Sequence, residues 1–197
     1  MKKFALASLV FCLSVGAFAQ NKLFSTPDKK FTISMTGKWI SADPNNAEYK
    51  KYMGAIKKNN PGMASAMRSD PGSALHLFDT GDSASDGFVD NFNLRVIPNF
   101  DLTPSMHKPI LDQVKSMLTF VGPINSETVM INGAQALHYW GTINMKVDAK
   151  SSQKYDVAGF MFSNKKTGYV LTFACSNGQM KTKRAKFKAA AQSSRVR

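Results

Sequence analysis

A chain of 197 residues is long enough for one domain with a substantial core and too short for two ordinary ones. Its 26 Lys and Arg outnumber 13 Asp and Glu, a formal net charge of +13. That excess draws anionic partners by long-range attraction but does not identify them. Of the chain's two cysteines only Cys175 lies beyond residues 1–19, so no internal disulfide is expected once that segment is removed and stability must come from packing.

Residues 1–19, MKKFALASLVFCLSVGAFA, read as a secretory signal peptide. Lys2 and Lys3 form the charged start, the run from Phe4 to Val15 is largely apolar, and Ala17-Phe18-Ala19 supplies the small residues of a cleavage site. Cleavage after Ala19 leaves Gln20 as the new N-terminus, and the expected address is the periplasm or the medium. The run is too short for a spanning helix, which needs about 20 apolar residues, and no later segment qualifies. Cys12 raises the competing reading of a lipoprotein signal. Leu9-Val10-Phe11 puts a bulky Phe where a small residue is needed before a lipidated cysteine, so plain cleavage is the reading adopted.

In the mature chain, Phe31, Ile33 and Met35 alternate with polar residues after a Pro27-Asp28 turn signal, predicting an opening hairpin or strand and then a corner at Gly37-Lys38-Trp39. From Asn46 to Lys58, Tyr49, Tyr52, Met53 and Ile56 recur at intervals of three and four, the apolar face of a helix. Asn60-Pro61-Gly62 ends it, and Met63 to Met67 suggests a further short helix before Asp70-Pro71-Gly72. SALHLFDT and FVDNFNLRVIP read as two strands around an acidic loop. Thr103-Pro104 opens a helix with a hydroxyl at the N-cap and Ile110, Leu111, Val114, Met117 and Leu118 as its buried stripe.

Asn132-Gly133 between two apolar-rich runs is a strong hairpin signal. YDVAGFMFS and YVLTFACS flank a second hairpin at residues 164–168. A closing basic helix then carries Met180, Phe187 and Ala190 or Ala191 at helical spacing. Leu137, Tyr139, Ile143 and Met145 alternate with Ala136, His138 and Trp140, so both faces of the later strands are apolar and both must be covered. The expected architecture is α+β: an α/β/α sandwich with a central, mainly antiparallel sheet covered by helices on both faces.

The F-x-x-P-D-x-x-F-x-I-x-x-x-x-x-W pattern of Phe24, Pro27, Asp28, Phe31, Ile33 and Trp39 resembles the PsbP-like superfamily, which includes Mog-type and DcrB-type domains. The middle helix, the I-N-G-A-Q-A-L hairpin at Ile131 to Leu137, the G-Y-V-L-T-F strand at Gly168 to Phe173 and the helix before Ser193 to Val196 extend the likeness over the mature chain. These are fold-defining turn and apolar residues. The resemblance implies one PsbP-like domain over residues 20–197, with a helical insertion at residues 44–70 relative to shorter versions. It further implies binding, usually of another protein, in place of catalysis: members serve as extrinsic photosystem subunits, envelope proteins, small-GTPase partners and secretion-effector chaperones.

The residues themselves offer little chemistry. Asp79, Asp82, Asp86 and Asp90 cluster in the acidic loop, but their spacing is not that of an EF-hand, and an ordinary solvated loop is expected. His76, His107 and His138 are dispersed without metal-ligand spacing. His138 should be a packed, hydrogen-bonded strand residue and His107 exposed. Cys175 shares a strand face with Leu171 and Phe173 and should be buried and inert. No G-x-S-x-G elbow, G-x-G-x-x-G or Walker-type loop occurs. No catalytic residue, metal or cofactor is therefore assigned.

Two surfaces remain as candidates. Tyr52, Met63 and Met67 in the insertion would form an adaptable protein-binding patch if they face outward. Lys181, Lys183, Arg184, Lys186 and Lys188 form a basic cluster within a stretch from Val157 to Arg197 that holds nine Lys or Arg and no acid. The expected role is an exported, non-enzymatic binding or accessory protein of the cell envelope acting on an envelope or secreted protein. The alternative is a basic surface for anionic lipid, glycan or nucleic acid; a single aromatic, Phe187, amid the lysines argues against specific nucleic-acid recognition.

Overall fold

The computed structural model describes residues 21–59, 72–81, 88–146 and 152–197. The leader at 1–19, Met63, Met67, Asp82 and Asp86 lie outside them. Strands β1 (Asn21–Ser25) and β2 (Phe31–Thr36) form the expected opening hairpin. Its turn is held by Asp28, whose carboxylate accepts the Thr26 hydroxyl at 2.6 Å and the Lys30 N–H at 3.1 Å. After Gly37, at φ +125°, the chain enters β3 (Trp39–Ser41). Helix α1 (Ala47–Asn59), β4 (Leu75–Asp79), β5 (Asn91–Pro98) and α2 (His107–Met117) follow, and then the long hairpin β6 (Phe120–Ile131) and β7 (Ala134–Lys146). A second hairpin, β8 (Ser152–Asn164) and β9 (Thr167–Ser176), leads to α3 (Met180–Ser193) and the short β10 (Arg195–Val196).

Seven strands pair antiparallel in the order β3-β4-β5-β9-β8-β7-β6, and β1-β2-β10 form a separate three-stranded sheet. Both hairpin turns are read correctly from sequence. Asn132 and Gly133 take φ 52° and 75°, while Lys165 and Lys166 adopt the same left-handed region at 48° and 61°.

The two faces of the large sheet have different covers. On one, Leu77, Phe92, Leu94, Phe160, Leu171 and Phe173 meet Phe31, Ile33 and Met35 of the small sheet and Phe187 and Ala191 of α3. On the other, α1 packs Tyr49 and Ile56 onto Ile40 and Phe78, and α2 packs onto Leu137, Tyr139 and Met161. The alternation of Leu77 with Phe78, and of Phe160 with Met161, is the strand period expressed as two cores. Helices on both faces agree with the sandwich expected. The small sheet beside α3 is an addition, closed by Arg195 and Val196 pairing with Thr32 and Phe31, a contact between remote segments without a local signature.

Two details of α2 correct the sequence reading. Its start is a 3₁₀ turn over Pro104–Met106, and the Thr103 hydroxyl makes no cap bond; it lies 2.9 Å from the Ser105 hydroxyl. Of the proposed stripe only Val114 is buried: Ile110 and Leu111 are half-buried, and Met117 is 65% and Leu118 36% exposed. Leu118 is already outside the helix, in an extended conformation, so it does not continue the helical face.

Candidate functional site

A cleft of about 390 Å³ opens where three segments meet: the β2–β3 corner, the end of β4, and α3. Each wall has a local cause. The corner is anchored because Thr80 donates both its N–H (3.0 Å) and its hydroxyl (2.7 Å) to the Lys38 carbonyl. The Trp39 indole N–H donates to the Thr36 carbonyl at 3.3 Å, which sets the ring into the floor. Asp79 turns its carboxylate back to accept the Gly81 N–H at 2.9 Å. On α3, Lys183, Lys186, Phe187 and Ala190 face the cleft at helical spacing.

Asp90 corrects the expectation of a solvated acidic loop. Its side chain is 3% exposed and pairs with Lys183 at 2.6 Å. Nothing in the local sequence pairs these two residues, because their partnership spans 93 positions. Asp79 is half-buried, and among the described residues no three His, Cys, Asp or Glu side chains are grouped to hold a metal ion.

The basic cluster is divided by the structure. Lys183 is spent on Asp90, Lys188 donates to Glu127 at 3.0 Å, and the Arg184 guanidinium lies 4.3 Å from the Trp140 ring centre. Lys181 and Lys186 are exposed. Lys183 and Lys186 share the cleft, whereas Arg184 and Lys188 lie against the β6–β7 side.

That side holds His138, fully buried and stacked on Phe160 at 4.1 Å, with Nδ1 3.0 Å from Glu127 Oε1. The packed, hydrogen-bonded histidine expected from the sequence is present. Burial pushes its pKa below the ordinary value, against the pull of Glu127. Lys188, and then His138, hold Glu127 below the usual carboxylate range by hydrogen bonding. His107, expected to be exposed, is half-buried, and desolvation lowers its pKa. It stands 3.5 Å from the Thr128 hydroxyl. Cys175 is fully buried, as its strand position implied.

Asp156 on β8, not singled out by sequence, accepts the Thr142 hydroxyl at 2.7 Å and the Met180 N–H at 2.9 Å. It caps α3 from a strand, placing a carboxylate at the positive end of the helix. Tyr52 is half-buried and packs with Met53 against the core beneath α1, so its ring contributes to cover as well as to surface.

No protein-family model and no curated protein matches the chain. Among solved structures, cyanobacterial PsbP (CyanoP) from Synechocystis sp. PCC 6803 is 13% identical at a TM-score of 0.51, over 94% of this chain and 97% of its own. The chain has the PsbP-like fold. A crystal structure from Bacteroides thetaiotaomicron VPI-5482 is 10% identical at a TM-score of 0.53, over 90% of this chain and 49% of that one. The Ran-binding protein Mog1p of Saccharomyces cerevisiae is 11% identical at a TM-score of 0.49, over 90% and 96% of the two chains. Within this PsbP-like fold, no helix among the described residues is long and apolar enough to cross a membrane.

Proposed function

We propose that this protein is an exported, non-enzymatic accessory module of the cell envelope that works by binding another protein. The observation that carries the reading is how the surface is divided between charge and thioether. Buried polar groups such as Asp90, Asp156 and His138 are bonded to structural partners inside the fold. Met117 (65%), Met130 (52%) and Met145 (48%) are exposed. Flexible, polarisable side chains held outward at the end of α2 (Met117) and on the sheet (Met130 and Met145) suit an adaptable protein contact. Tyr52, Met63 and Met67 are assigned to the same role, and the leader at 1–19 to delivery, with cleavage after Ala19 to leave a single domain at 20–197.

The test is recovery of the tagged protein from its own envelope extract at low and at physiological salt, beside a variant carrying Met117→Glu, Met130→Glu and Met145→Glu. A defined protein retained at both salts and lost from the variant is the expected result. A second reading, a basic surface for anionic lipid, glycan or nucleic acid, is favoured by the exposure of Lys181 and Lys186 on α3. It predicts that only polyanions are recovered and that they are lost as salt rises.

A further inference from the structure

We infer that the cleft between α3 and the β2–β3 corner is a binding site for a small amphiphilic anion, with its apolar body against Trp39 and Phe187 and its headgroup between Lys38 and Lys186. The site goes beyond the protein-contact role, which depends on other residues. Its size falls within the range of small-molecule sites, about 300–1,000 Å³, and its floor combines an indole and a phenyl ring with the side chains of Met35 and Ala190. All four of these residues are less than a tenth exposed, so the floor of the cleft is continuous with the core.

The sign of the headgroup follows from which charges are already answered. Lys183 and Asp90 neutralise each other at 2.6 Å in the wall. Lys38 and Lys186, on different elements, are both exposed, and among the described residues neither ammonium takes part in an ion pair. One carboxylate opposes them, Asp79, and it is already engaged by the Gly81 N–H. The lining therefore carries one net positive charge in a protein whose formal net charge is +13, a field that concentrates anions at the mouth. Both lysines are on fixed supports. Lys38 belongs to the corner clamped by Thr80, and Lys186 follows the anchored Lys183 by one turn of α3. Two cations from different elements lining one cleft with an aromatic floor match a carboxylate or phosphate ester on an apolar body better than a free inorganic ion, which would leave the floor unfilled.

Trp39 reports on the site directly. With Trp140→Phe, one of the two tryptophans is removed and emission comes from the cleft alone. Octanoate titrated into this protein should give a saturable change in Trp39 fluorescence. Lys38→Met and Lys186→Met should each weaken binding about tenfold, the scale of one charge-assisted contact, without changing the unfolding temperature. Octylammonium and inorganic phosphate should bind at least about tenfold more weakly, since each lacks one half of the match. Equal affinity for octylammonium, full affinity in the Lys38→Met/Lys186→Met double variant, or no saturable change up to about 10 mM octanoate would overturn the inference. Because the double variant leaves Met117, Met130 and Met145 intact, failure here is distinguishable from failure of the protein-contact reading.

Discussion

The ammonium of Lys183 stands 2.6 Å from Oδ2 of Asp90, tying α3 to the segment that leads into β5. Asp90 is almost fully buried while Lys183 keeps a fifth of its side chain in solvent, so the lysine makes ionisation of the carboxylate tolerable there. Lys183→Met should therefore cost about 3 kcal/mol, the low end for breaking a buried pair. The double variant Asp90→Leu/Lys183→Met should recover much of the loss, because no charge is then stranded. Urea denaturation of the three proteins checks this; a neutral Lys183→Met would show that the pair contributes nothing to stability.

Gly159 lies opposite Tyr139 in the β7–β8 pair, and a β-carbon built on it would meet the phenol ring at 2.2 Å. The ring is buried, which also pushes the Tyr139 hydroxyl up to about 12. Gly159→Ala should destabilise by about 3 kcal/mol through overpacking. In a Tyr139→Leu background the same substitution should cost much less, a coupling measurable by a double-mutant cycle.

His138 makes stability depend on pH. Its folded pKa is lowered from 6.5, chiefly by burial, so the unfolded chain takes up this proton first. Its contribution is complete above the unfolded value and is lost as pH falls from about 6.5 toward the folded value. Glu127, with its pKa lowered from 4.5 mainly by Lys188, adds a second loss at lower pH, as it protonates toward its own folded value. Unfolding free energy should fall between about pH 7 and pH 5 in the native sequence, and the part of that slope due to one proton should vanish in His138→Leu. An unchanged slope in the variant would remove His138 as its source.

Lys165 and Lys166 hold the β8–β9 turn in a conformation that glycine and asparagine adopt with less strain. Lys165→Asn with Lys166→Gly should stabilise the protein by about 1 kcal/mol, read as a higher unfolding temperature. The bond from Phe100 N–H to the carbonyl of residue 166 uses backbone only and survives the change.

How much was legible followed the range of each interaction. Asn132-Gly133 announced its turn, Tyr49 through Ile56 announced a helix, and Phe187 with Ala190 and Ala191 announced the buried side of another, because each signal is written within a few residues. The stripe on α2 misled because periodicity groups Met117 and Leu118 with Val114, whereas the helix ends at Met117 and of these only Val114 is buried. The cleft was not legible: Lys38, Asp79, Asp90 and Lys186 come from four segments, and only the chain path brings them together. The five basic residues at 181–188 looked alike in sequence, yet their partners, Asp90, Trp140 and Glu127, are set by strands far upstream.

The pairing of β10 with β2 also bears on when the molecule can be finished. Thr32 pairs with Ser25 on one side and Arg195 on the other, Phe31 pairs with Val196, and Ser34 exchanges hydrogen bonds with Ser193. Ser34 and Ser193 are 159 positions apart, so the small sheet gains its third strand only after the whole stretch from β3 through α3 has been made. Until then that edge of β2 has no strand beside it, and a partner or chaperone meeting the chain earlier would meet an incomplete surface.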